Sequence, residues 1–168
     1  GPHLLAMWTD SLEHALRETQ NDAALVAEML TIADANSLTD GLTEIDPDAV
    51  HAARSCLESG LATALVPALL ETYRRLSGDD DRATGFAAQA RRQLRNACLA
   101  SLCRADASHL ELARAQLANA NNLTNRLAAL RVWVDSRADD LAVGLGAFAS
   151  RYAHDALVLD KWFAVQAM

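Results

Sequence analysis

The sequence predicts an all-α fold, and three observations carry that expectation. Alanine, the strongest helix former, makes up roughly a fifth of the 168 residues. Only seven Gly and three Pro interrupt the chain. Apolar residues recur at three- and four-residue spacing along most of its length, without a convincing alternating run that would make a strand. At this length one domain is the default, and the chain can bury a substantial core.

Leu5, Trp8, Leu12 and Leu16 predict a first helix over 4–18. Asn21 can cap a second helix carrying Leu25, Val26, Met29 and Leu30, which makes the two an antiparallel hairpin. Residues 33–45, with Asn36, Ser37, Asp40 and Gly41, read as a loop with at most one helical turn. Asp46-Pro47 marks a helix start: the carboxylate accepts from exposed first-turn amides, and Pro gives up no needed donor. The stripe Val50, Ala53, Leu57, Leu61, Leu65 follows, and Pro67 predicts a kink or break near 64–67.

Ser77 to Arg82 reads as a linker, with Gly78 ending one helix and the acidic run suiting the start of the next, over 84–104. Within that helix Leu94, Ala97, Cys98 and Leu102 form one apolar stripe, and Asn96 lies beside it, where a buried amide requires partners. Ser108 and Glu111 match a capping box for a helix with Leu110, Ala113 and Leu117. Asn119 to Asn122 break that pattern. Thr124, or an Asn just before it, starts the next helix, and Asp139 or Asp140 the one after. A turn at 153–155 leads into a last helix from Leu157 to Met168. The total is about nine helices of roughly 8–20 residues. Their antiparallel pairing predicts an α-α superhelical, solenoid-like array more than a closed bundle.

A net charge of −7 and a pI of about 5.1 disfavour nucleic acid and anionic membrane as partners. No apolar run reaches the roughly 18 residues of a membrane span. The three cysteines, Cys56, Cys98 and Cys103, have no framework spacing and predict free thiols in a reducing compartment, with Cys98 in the core. None of the five histidines belongs to a His-Glu-x-x-His pattern. Gly144 and Gly146 sit in a helical pattern with no preceding strand, so close helix packing explains them better than phosphate binding. Paired carboxylates fall at predicted helix starts, where capping accounts for them. No catalytic, cofactor-binding or metal-binding residue is assigned.

Three segments add a specific resemblance: RRQLRNACL at 91–99, ANNLTNRLAAL at 120–130 and LVLDKWFAVQA at 157–167. In this order and spacing they resemble the C-terminal helical domain of bacterial aminopeptidase N, in the M1 family of zinc metallopeptidases. IDPDAVHAAR at 45–54 is similar to the same domain. Two departures stand out, Leu123 where Met is usual and Asn125 where Asp is usual.

The resemblance implies a non-catalytic domain of a cytoplasmic enzyme that removes single amino acids from peptide N-termini. Such a domain covers the active site and walls the substrate chamber. Zinc, its His-Glu-x-x-His and downstream Glu ligands and the Gly-x-Met-Glu-Asn loop belong to another domain, and none of these motifs occurs here. The implied partners are the catalytic and other domains of the same polypeptide and, in the whole enzyme, peptide substrates. On this reading residues 1–3 are an expression-tag scar, and 4–168 are the N-terminal and middle part of the helical domain, truncated. The structural candidates are Arg95, Asn96, Asn121, Asn122 and Trp162. Arg95 and Asn96 are expected to bond backbone groups at neighbouring helix ends, such as the turn at 121–122. Trp162 and Phe163 are expected in the core. The alternative reading is an independent helical-repeat scaffold that binds a protein partner on a concave face.

Overall fold

The computed structural model describes residues 2–18, 22–32, 37, 39–40, 44–77 and 83–167. Among the described residues eight α-helices and one 3-10 turn have defined bounds: α1 (Pro2–Arg17), α2 (Ala23–Met29), α3 (Pro47–Leu76), α4 (Phe86–Ala105), the 3-10 turn (Ala107–His109), α5 (Leu110–Asn119), α6 (Leu123–Ser136), α7 (Leu141–Arg151) and α8 (Ala156–Gln166). Among the described residues there is no strand. The chain is an all-α helical array.

The helix starts follow the chemistry of short polar side chains. Asp46 accepts from the amides of Asp48 and Ala49 at 3.0 and 3.1 Å and opens α3 with Pro47 in the first turn. Asn122 opens α6 by accepting from the amide of Asn125 at 2.8 Å, and Asp155 opens α8 through Val158. Three expectations are corrected. Asn21 lies outside the described residues, and Asp22 caps α2 by accepting from Ala24. Ser108 does not cap α5; Asp106 accepts from the Ser108 amide and forms the 3-10 turn that leads into α5. α4 opens at Gly85, next to the expected start at Thr84, and the Gly85 φ of 100° is a conformation that favours glycine; the acidic run at 79–81 lies outside the described residues. The third concerns Pro67: of the kink or break expected near 64–67, no break occurs.

α3 runs unbroken for 30 residues through Pro67. The physical reason is placement. Pro67 and Thr63, whose carbonyl loses its amide partner, both lie on the exposed face, where water can replace the bond. The loop expected over 33–45 and the linker over 77–82 fall largely outside the described residues.

α4 is the central helix. It packs along α3 and also meets α2 and α6, while α1 lies on α3 and α5 pairs with α6. Its stripe does this work: Leu94, Cys98, Leu99 and Leu102 are all buried. Each buried leucine contributes roughly 1.5–3 kcal/mol. Ala113 of α5 and Ala129 of α6 are both fully buried, and their small side chains let those helices approach closely. At the end of α1, the Leu16 carbonyl accepts from Thr72 Oγ1 and from Arg75 Nη2, each at 3.0 Å, so α3 closes the last turn of α1. α7 and α8 pack on α6 and on each other. They leave Val143, Leu157 and Phe163 exposed, so Phe163 does not join the core.

Among the described residues no helix is long and apolar enough to cross a membrane. The three cysteines are free: Cys56 is exposed, Cys103 half-buried and Cys98 buried. Burial pushes the Cys98 thiol up to about 12 and that of Cys103 to about 11. Only the thiolate is nucleophilic, so at pH 8 iodoacetamide is expected to modify Cys56 in the folded protein and to reach Cys98 only on unfolding. The sign for stability follows. Between the ordinary value of 9.0 and about 12, the unfolded chain loses the Cys98 proton while the folded chain keeps it, so stability falls as pH rises through that window. Mass mapping of the alkylated peptides checks the first point. Rapid labelling of Cys98 in the native state would contradict it.

Candidate functional site

The polar residues inside this apolar array gather in two places. The first joins four helices. On α4, Arg95 is buried and its guanidinium carbon lies 5.3 Å from the centre of the Tyr73 ring of α3. The Tyr73 hydroxyl donates to Gln116 Oε1 of α5 at 3.1 Å. Gln116 Nε2 spends both hydrogens, one on Asn96 Oδ1 at 2.8 Å and one on the Asn125 carbonyl at 2.9 Å. Asn96 Nδ2 completes the circuit by donating to Asn125 Oδ1 at 3.0 Å. Asn125 is fully buried and Gln116 nearly so, while Asn96 is half-buried.

The candidates therefore take these places. Asn96 does bridge to the start of α6, but through side chains. Its partners are Gln116 and Asn125, and the contact to backbone comes from Gln116. Asn122 is the cap that fixes Asn125 in the circuit, and Asn121 sits exposed in the turn before it. Trp162 of α8 donates its indole N–H to the Leu145 carbonyl of α7 at 3.1 Å and stacks edge-on with Phe163, ring centres 4.8 Å apart. Gln116 and Tyr73 were not singled out from the sequence. The available signal was a glutamine next to Leu117 and three residues after Ala113, on the buried side of its helix.

The second place lies where α5, α6 and α7 meet. Asp140 accepts from the Trp133 indole N–H at 3.0 Å and pairs with Arg114 at 2.7 Å. Arg114 also pairs with Glu111 and lies over the Trp133 ring, 5.3 Å from its centre. The hydrogen bond from Arg114, then that from Trp133, holds the Asp140 carboxyl below its ordinary range. Beside this assembly is a cleft of about 310 Å³ with Trp133, Phe148 and Gly144 in its wall and Arg114, Arg126 and Arg151 around it.

Neither place fits a metal. Among the described residues no group of three or more His, Cys, Asp or Glu is placed to hold one. His14, His51 and His154 are exposed, and His109 Nδ1 lies 3.1 Å from the Leu102 carbonyl. The circuit consists of amides and a phenol without a nucleophile or base. It can fix helix register.

Comparison with known proteins gives this arrangement a context. The family model described as "Domain of unknown function (DUF3458_C) ARM repeats" matches residues 2–168. Aminopeptidase N of Haemophilus influenzae is 32% identical over 157 residues, covering 94% of this chain and 18% of the relative. Aminopeptidase N of Escherichia coli K12 is 34% identical over 160 residues, again covering 94% and 18%. That of Caulobacter vibrioides is 32% identical over 161 residues, covering 95% and 18%. The chain thus spans less than a fifth of the length of these curated relatives. The fold also matches a crystal structure of Legionella pneumophila aminopeptidase A in complex with aspartic acid, with a TM-score of 0.78 and 23% identity, over 99% of this chain and 20% of that one.

Proposed function

The chain belongs to the DUF3458_C family of ARM-repeat helical domains, and from that premise we propose that it serves as a non-catalytic helical domain of an M1 zinc aminopeptidase. The observation that carries this reading is the alignment of nearly the whole chain with a part of aminopeptidase N from three bacteria. It favours the peptidase domain over an independent helical-repeat scaffold. In the whole enzyme the domain walls the chamber in which peptides are held, and its partners are the catalytic and other domains of the same cytoplasmic polypeptide. On this reading residues 4–168 are part of that domain.

The residues present support an architectural role. The Tyr73–Gln116–Asn96–Asn125 circuit specifies how α3, α4, α5 and α6 sit together. The exposed Val143, Leu157 and Phe163 give α7 and α8 an apolar face for the remainder of the polypeptide to cover. On this reading zinc belongs to another domain of the polypeptide.

The test uses the purified chain. It is expected to bind no stoichiometric zinc by equilibrium dialysis and to hydrolyse no alanyl or leucyl anilide. The surrounding reading frame is expected to encode His-Glu-x-x-His. Zinc-dependent turnover by this chain alone, or a reading frame without that motif, would overturn the assignment.

A further inference from the structure

Arg126 is the most demanding group outside the amide circuit. It sits in the first turns of α6 and is only 6% exposed. Its Nη1 donates to the Leu117 carbonyl at 3.3 Å, one of the orphan acceptors at the end of α5. Among the described residues no carboxylate pairs with it, in contrast to Arg114, which holds both Asp140 and Glu111. The nearest charge of consequence has the same sign. Burial, and after it the like charge of Arg151, lowers the Arg126 pKa, yet a guanidinium stays cationic at neutral pH. Arg151 is exposed and likewise has no acidic partner among the described residues.

Both arginines border the same cleft of about 310 Å³. Apart from Arg114, which is held by Asp140 and Glu111, the rest of its wall is apolar: Phe148 and Trp133 are buried beneath it and Val143 stands exposed at its edge. Its volume is at the small end of ligand pockets, suited to one residue-sized group. A fork of N–H donors beside aromatic carbon matches a planar monoanion with an apolar body. The sign of the lining discriminates further. The cleft is bordered by cations, and the neighbouring carboxylate of Asp140 is already engaged by Arg114 and Trp133. A free ammonium therefore finds no counter-charge, while an acylated nitrogen brings none.

We infer that this cleft binds an acylated apolar amino-acid carboxylate, the chemistry of the C-terminal residue of a peptide. Arg126 and Arg151 take the carboxylate, and Trp133 and Phe148 take the side chain. The inference rests on the cleft alone and does not depend on the peptidase reading.

The test is a titration of the ¹⁵N-labelled chain, read at the Trp133 indole N–H, with N-acetyl-leucine, N-acetylleucinamide, leucine and inorganic phosphate. N-acetyl-leucine is expected to give a saturable shift, and loss of the carboxylate in the amide to weaken binding by about tenfold or more. Arg126→Gln is expected to weaken it by about as much, and Arg151→Gln, at an exposed position, by about threefold or more with an unchanged melting temperature. If Arg126→Gln fails to fold, Arg151→Gln alone decides whether the arginines hold the ligand. Acid and amide binding equally, or affinity unchanged in the variants, would overturn the inference. So would no saturable shift up to about 10 mM acid. Leucine binding as well as its acetylated form would remove the acyl requirement and with it the peptide assignment. Phosphate alone producing the same saturating shift would reduce the cleft to a plain anion site.

Discussion

Replacing Gln116 by Leu is expected to lower the free energy of unfolding by about 3 kcal/mol or more. The side chains are of similar size, so little volume changes, but three hydrogen bonds are lost together. The Tyr73 hydroxyl loses its acceptor at Oε1, and Asn96 Oδ1 and the Asn125 carbonyl lose the donor at Nε2. All of this happens where water is excluded, since Gln116 is 2% exposed and Asn125 fully buried. A buried polar group left without its partner costs about 1–3 kcal/mol. Urea unfolding reads the change, with an m-value near that of the parent if both states keep their compactness. Tyr73→Phe alone should cost about 1 kcal/mol, and less in the Gln116→Leu background, because its partner has already gone. A Gln116→Leu variant within about 0.5 kcal/mol of the parent would show that the circuit adds nothing to stability.

That circuit also shows which features the sequence makes legible. Helix caps were, because they depend on side chains within three residues of the amides they serve. Asp46 and Asn122 act where their spacing predicts, whereas Asp155, read only as part of a turn, caps α8. The core stripe of α4 was, because helical periodicity is local. Asn96 was recognisable as an amide in need of partners, but the partners lie 20 and 29 residues away along the chain. Pairing at that separation depends on how α5 and α6 dock, which no local pattern encodes. Ser108 shows the opposite failure. Its spacing to Glu111 fits a capping box, yet Asp106, two residues earlier, captures the Ser108 amide and turns the chain first. Arg126 was invisible for a third reason. A single arginine in a helix is ordinarily solvated, and its burial follows only once α6 docks on the end of α5, whose Leu117 carbonyl it reaches.

The segments that carry the family resemblance meet in space. Asn96 from 91–99 bonds Asn125 from 120–130, and the helix from 157–167 packs on the helix of the second segment. Their contacts here join helix to helix. The neutral side chain of Asn125 fits those contacts. In this chain the position is fully buried and Oδ1 accepts from a neutral amide, so a neutral residue avoids burying a charge.

Gly144 and Gly146, two residues apart on α7, should respond to alanine with opposite signs. A Cβ at Gly144 would lie 2.6 Å from two ring carbons of Trp133, too close for carbon atoms to coexist. Relief requires the indole to move, and the indole is held from two sides. Its N–H is committed to Asp140 at 3.0 Å, and the Arg114 guanidinium lies over its face. Overpacking of this kind costs typically about 1–3 kcal/mol, which outweighs the gain of up to about 1 kcal/mol from replacing glycine in a helix. Gly146 has nothing within 4 Å of an added Cβ. There the helix-propensity gain stands alone, and Gly146→Ala should raise stability by roughly 0.5–1 kcal/mol. Thermal unfolding of the two variants side by side gives the answer, with Trp133 fluorescence reporting on the ring. Equal shifts in the two melting temperatures would mean that α7 does not seat against Trp133 as described. Opposite shifts, with the Trp133 environment altered only in Gly144→Ala, would establish the close approach of α7 to α6 that forms one wall of the arginine-bordered cleft.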